Sequence, residues 1–211
     1  GLTSSVASVQ TQVNNSAVGT NLIKGTYNFD ASLWSIYQGT GTGVFETLTD
    51  YGSQYFSHIY QFSENTFTAG PVTSQSISLV KGQPYTISVL AKHNGAGYGD
   101  LAVSLYLFSD YTSNVLNGAG IWITDTLADS LTKYSATFVP TVSGTYSNWR
   151  ILAIVHTGAA SNMLGSFWTT LPKLELGSVA TDWCPNPTEI LTQSDYTKIK
   201  AAIVALGGSL S

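Results

Sequence analysis

The chain has 211 residues, enough for one large all-β domain or two small ones. Charged residues make up only 9% and aromatics 12%, the reverse of a disordered composition, which is charge-rich and ring-poor. Net charge is −4 with no basic run, so the positive stripe that a nucleic-acid binder needs is missing. A single cysteine, Cys184, excludes an internal disulfide framework and a Cys-based zinc site, and reads as a small half-buried hydrophobe. No stretch approaches the ~20 apolar residues that span a bilayer, so membrane insertion is not expected.

In chain order, Leu2, Val6, Val9 and Val13 repeat at four–three–four spacing and predict a helix over residues 2–16. Residues 1–19 are thus read as a helical linker. Short β-type runs follow, separated by Gly, Asn, Asp and Ser, as in a sandwich. They are expected at Leu33–Gln38, Val44–Thr49 and Tyr55–Phe62. Val72–Val80 alternates and is read as one strand. Lys81-Gly-Gln-Pro84 turns it into Tyr85–Lys92, in which Tyr85, Ile87, Val89 and Ala91 share one face. Loops are expected at Asn94–Gly99 and Asp110–Gly120. Further strands are expected at Leu101–Phe108, Ile121–Thr126, Lys133–Val139 and Trp149–Thr157. Ile151-Leu-Ala-Ile-Val155 is apolar on both parities, so either both faces are covered or one lines a groove.

The final strand opens at Phe167-Trp168-Thr169. Pro172, with no N–H to donate, limits pairing there. Lys173-Leu-Glu-Leu alternates, Gly177 ends the run, and Trp183 can tuck back against the body before Pro185 and Pro187 close the domain. A second helix follows in residues 188–211. Thr188 or Ser194 would start it, Gly207 would stop it, and Tyr196, Ile199, Ile203 and Leu206 form its stripe.

Two segments carry a family resemblance. Pro172-Lys-Leu-Glu-Leu-Gly-Ser-Val-Ala-Thr-Asp-Trp-Cys-Pro-Asn-Pro187 resembles the closing segment of jelly-roll carbohydrate-binding modules in bacteriophage tail and baseplate proteins. Leu176 stands where those have lysine, and Cys184 where Ser or Thr is common. Asn21-Leu-Ile-Lys-Gly-Thr26, followed by Trp34, resembles their opening. Val72–Lys92 is similar to a hairpin of sugar-binding sandwiches. The resemblance implies an all-β fold, a jelly-roll β-sandwich of two antiparallel sheets over residues 20–187. It further implies non-catalytic binding of bacterial cell-wall carbohydrate in the virion tail, at the host surface, beside flanking modules of a larger tail protein. Oligomerisation through that parent is also expected. No secretory leader is visible, which suits a phage protein released by lysis.

No nucleophile elbow, His-Glu-x-x-His or phosphate loop occurs. His58, His93 and His156 lack metal-ligand spacing. A glycosidase needs two flanking carboxylates. Most Asp residues fall in loops, leaving Glu46, within a strand, as the least turn-like acid and the test residue for a rival polysaccharide-degrading activity. A purely structural spacer is the third reading. No cofactor is expected. Asp30 and Asp182 are carboxylates near the domain ends, where such modules carry calcium, but no dense Asp/Asn loop accompanies them.

A sugar site combines aromatic platforms with planar or charged hydrogen-bonding groups on a rigid frame. Trp34, Trp168 and Trp183 lie in the motif segments and are assigned to the core. Parity sends Lys92, Tyr106, Arg150 and His156 outward, and places His58 and Tyr60 together on a ring-rich face. With Trp122 and Trp149 these form the predicted site, a shallow trough with bare rings and the Arg150 guanidinium along its wall.

Overall fold

The computed structural model describes residues 19–38, 41–52, 54–62, 66–94, 102–108, 121–124, 127–156, 166–190 and 193–205. The expected helix over 2–16 and the expected loop at 110–120 lie outside the described residues; of the expected Asn94–Gly99 loop, Asn94 ends a strand and 95–99 lie outside them.

The strands are β1 (Trp34–Tyr37), β2 (Gly41–Leu48), β3 (Gln54–Phe62), β4 (Thr66–Thr73), β5 (Ile77–Leu79), β6 (Tyr85–Asn94), β7 (Ala102–Phe108), β8 (Ile121–Thr124), β9 (Thr132–Phe138), β10 (Gly144–Tyr146), β11 (Trp149–His156) and β12 (Ser166–Leu176). Two five-stranded antiparallel sheets form, in the orders β1-β4-β11-β7-β8 and β2-β3-β12-β6-β9, with a small β10-β5 pair beside them. Most neighbours in each sheet are distant in sequence, because the chain crosses repeatedly between sheets, as in a jelly roll. A single apolar core draws on both, with Trp34, Ala69, Trp149 and Ile151 from the first sheet and Ile59, Ile87, Val89, Phe167 and Leu174 from the second.

One predicted strand divides. Val72–Val80 breaks at Ser74–Ser76 into the end of β4 and the whole of β5, which belong to different sheets. The Thr73 hydroxyl accepts from the Gln75 side chain (2.8 Å) and donates to the Leu33 carbonyl (2.8 Å), turning the chain out of the first sheet. β5 therefore pairs with β10, and the expected hairpin with β6 does not form.

The two motif segments are clasped together. Asn21, fully buried, donates through Nδ2 to Thr26 Oγ1, Pro172 O and Cys184 O, and accepts at Oδ1 from the N–H groups of Ile23 and Leu174. Asn186 Nδ2 donates to the Asn21 carbonyl (2.8 Å), and Gly25 N donates to Glu189 Oε1. Asn186 and Glu189 form a capping box on the short 3-10 turn Pro187–Glu189. The helix α1 (Gln193–Ala205) follows, starting near the later of the two expected caps.

Residues 177–183 then run across the outer face of the second sheet. Gly177 O and Ser178 O accept from Thr86 and Thr137, and Thr181 O accepts from Lys133 Nζ (2.7 Å). Beneath this strap lies a buried ion pair, Lys173 Nζ to Glu175 Oε2 at 3.2 Å, with side chains 0% and 1% exposed. Such a pair is tolerable only if its remaining donors and acceptors are matched. Here Lys173 donates to Thr181 Oγ1 and Asp182 O, and Glu175 accepts from Thr181 N. Among the described residues, the strap covers one half of the outer face, and on the other half Val44 is exposed and His58, Trp168 and Lys92 are half-buried.

Candidate functional site

The open half is built on register. Val44, His58, Trp168 and Lys92 stand opposite one another across β2, β3, β12 and β6, and so share the outer face. The next row is Glu46, Phe56, Thr170 and Leu90. Between β2 and β3 a 3-10 turn, Thr49–Tyr51, ends on Gly52 at φ +64, a conformation that costs glycine no Cβ clash. That turn brings Tyr51 back over the sheet, where its ring meets Phe56 at 5.5 Å between centroids.

Trp168 is the hub. His58 stacks on it at 4.5 Å and 20°, and Lys92 Nζ lies 4.9 Å from its ring centre. Lys92 also donates to the Tyr51 hydroxyl (3.2 Å) and sits 4.8 Å from that ring. Each such cation–ring contact is worth about 0.5–1 kcal/mol near the surface. Trp168 Nε1 donates to Glu46 Oε1 (3.0 Å), fixing a carboxylate that is a third exposed. His58 Nδ1 approaches the same oxygen at 2.8 Å without the alignment of a hydrogen bond. Burial holds the His58 pKa below its ordinary 6.5, and Glu46 pulls the other way without overcoming it. Tyr60 tilts against the imidazole at 5.0 Å.

Lys92, His58 and Tyr60 thus come together on the second sheet. Trp149 does not join them: it is 1% exposed, in the core, and its Nε1 donates to Tyr146 O (2.9 Å). Its neighbour Arg150 faces outward, as expected, but from the other sheet, with its guanidinium 4.5 Å over the Tyr37 ring. Tyr106, Trp122 and His156 belong to that sheet too. Their side chains lie outside the described residues, and the backbone register sets Tyr106 opposite both Trp122 and Leu152, and His156 opposite Ala102. One trough holding both Lys92 and Arg150 is therefore not formed. Trp168, assigned to the core, is instead the centre of the outer face. Trp34 is in the core, 4% exposed, whereas Trp183 is half-buried, donating to Thr26 Oγ1 and meeting Tyr27 at 5.8 Å. The trough is not bare either. His58 and Lys92 flank the indole, so Trp168 acts as a wall that orients polar groups rather than as an empty platform.

Chemically, the open half offers a cation, a carboxylate, a phenol and aromatic edges, in two hydrogen-bonded pairs, Lys92–Tyr51 and Trp168–Glu46, joined by the cation–ring contact of Lys92 with Trp168. Among the described residues, the recorded partners of Glu46 are His58 and Trp168, neither a carboxylate. The described residues contain no cluster of three or more His, Cys, Asp or Glu able to hold a metal.

No family model matches this chain, and no curated protein matches it. Among solved structures, it is similar to the CBM22-1 and GH10 modules of the Clostridium thermocellum endo-1,4-β-D-xylanase 10B complexed with xylohexaose. Identity is 16% and TM-score 0.46, over 79% of this chain and 30% of that one. It is similar to the CBM22-1 xylan-binding domain of Paenibacillus barcinonensis Xyn10C at 15% identity and TM-score 0.47, over 78% and 99%. It is also similar to the arabinose-bound MgGH51 α-L-arabinofuranosidase at 11% identity and TM-score 0.51, over 75% and 27%. The chain spans less than a third of either enzyme chain. The likeness is one of fold alone, a β-sandwich.

Proposed function

We propose that this chain is a non-catalytic carbohydrate-binding module of a bacteriophage tail or baseplate protein, which holds bacterial cell-wall saccharide and so attaches the virion to its host. The observation that carries the reading is the row His58–Trp168–Lys92 with Glu46, gathered on the one half of the second sheet that the strap leaves open. Saccharides present hydroxyl rings and apolar C–H faces, and this row supplies donors, an acceptor and aromatic edges fixed by one another. The motif resemblance at Asn21–Thr26 and Pro172–Pro187 supports the phage tail setting. Single-site affinity is weak on this reading, and many tail copies supply avidity.

Calorimetric titration of purified wall polysaccharide into the protein tests it. Binding is expected to weaken about tenfold in Trp168→Ala and in Lys92→Ala, a loss of about 1.4 kcal/mol. Arg150→Ala, on the opposite sheet, is expected to leave it unchanged. Release of reducing ends, abolished by Glu46→Gln, would replace this reading with an enzymatic one. Absence of binding would remove it.

A further inference from the structure

At the edge of the strap, beside the row just described, the second sheet is interrupted. β12 shifts register between Thr170 and Lys173, and Leu171 within that bulge takes φ +50, a conformation that a branched side chain rarely adopts. Bulges of this kind re-aim side chains next to binding sites. Here the bulge borders a cavity of about 150 Å³. Leu171, Leu90 and Trp183 supply apolar and aromatic surface, and Ser88, Lys133 and Asp182 supply polar groups. Lys133 Nζ is 3.6 Å from Asp182 Oδ1, and both side chains reach solvent, so these two stand at the mouth, while Ser88 is buried. A volume near 150 Å³ takes a ring the size of benzene, so a pyranose seated there would hold its ring inside and leave hydroxyls in the mouth. Leu90 lies two residues from Lys92 on the same face of β6, roughly 7 Å along the strand. The cavity is therefore the next position along the open half of the sheet.

We propose that this cavity is a second saccharide subsite, seating one pyranose ring of the same glycan chain that the His58–Trp168–Lys92 row holds. It rests on the saccharide-binding reading and adds a length requirement. The ring sets its C–H face against Trp183 and the leucines, and its hydroxyls reach Lys133, Asp182 and Ser88. A disaccharide filling one position binds more weakly than a chain that bridges both.

The two indole N–H groups report separately, because Trp168 donates to Glu46 and Trp183 donates to Thr26. Size-separated fragments of bacterial wall glycan, from disaccharide to hexasaccharide, are titrated while both indole resonances are followed by NMR. The expected result is that longer fragments move both signals and bind at least about tenfold tighter than the disaccharide. Leu90→Trp, which fills the cavity, and Lys133→Ala, which strips its mouth, should each erase that length advantage while the Trp168 signal still responds. A Trp168 response without any Trp183 response, or an unchanged length advantage in both variants, overturns the second subsite and leaves the first intact. If neither indole responds, both readings fall.

Discussion

Asn21→Ala strikes the clasp where it is most densely bonded. The side chain has five hydrogen-bond partners, three acceptors that share its two Nδ2 protons and two N–H groups on Oδ1, with no exposed surface. A net hydrogen bond is worth about 1 kcal/mol, and a buried group left without its partner costs about 1–3 kcal/mol. Truncation leaves the N–H groups of Ile23 and Leu174 and the carbonyls of Pro172 and Cys184 without this partner. The expected loss is therefore about 3–5 kcal/mol, a large share of the ~5–15 kcal/mol that holds a domain folded. With a urea slope near 2 kcal/mol/M, the unfolding midpoint should drop by about 1.5–2.5 M at unchanged slope. Asn21→Asp should be no better, since it keeps the acceptor but loses both Nδ2 protons and buries a charge beside two carbonyls. A loss below about 1.5 kcal/mol for the alanine variant would refute the view that this side chain joins the opening motif to the closing one.

Three further outcomes are expected. Glu175→Leu strands the Lys173 ammonium in the interior and should cost about 3–5 kcal/mol, whereas Lys173→Met with Glu175→Leu should cost clearly less than the sum of the singles; additive urea-unfolding energies would count against a coupled pair. Gly43 faces inward, and an added Cβ would meet Ile59 Cδ1 at 2.4 Å and Ile36 Cγ2 at 2.7 Å, so Gly43→Val should destabilise by about 1–3 kcal/mol, read as a lowered melting temperature. Folded His58 takes up its proton at lower pH than the unfolded chain does, so its contribution is complete above pH 6.5 and is lost as pH falls through the lowered folded value. Melting temperature should drop across that window, and His58→Gln should flatten the drop; an identical pH profile in the variant would contradict the assigned burial.

Alternation made most of the sandwich legible. Tyr85, Ile87, Val89 and Ala91 are buried as one face of β6, and Lys92 turns outward, as their spacing requires. The short β10 and the split of Val72–Val80 were not legible, because three-residue strands are too brief to show a period. Parity also had a signal that the site reading left unused: Trp149 and Arg150 are adjacent in one strand, so only one of them can face outward. Trp168 is assigned to the core because it lies in a motif segment, and parity does not correct that: counting back by twos from buried Leu174 also places it inward, but the bulge at Leu171–Pro172 adds a residue and reverses the face. Only the proline hinted at that interruption. Finally, alternation says which residues leave the core and not through which sheet, so Lys92 and Arg150 read alike and emerged on opposite sides. The motifs, for their part, are occupied by Asn21, Lys173, Glu175 and Asn186, all buried and bonded within the clasp. They record the closure of the fold, which is why they do not name a ligand.

The clasp also decides where mechanical tension goes. Gly19 donates to Thr181 Oγ1 and accepts from Cys184 Sγ, and Leu22 N donates to Leu174 O, so the incoming and outgoing segments are tied side by side. A tug applied through those two segments is resisted first by this short set of crosslinks, which meets β12 at Leu174, on the far side of the bulge from Trp168. Strain entering there reaches the row around Trp168 along β12 itself, through the register shift between Thr170 and Lys173.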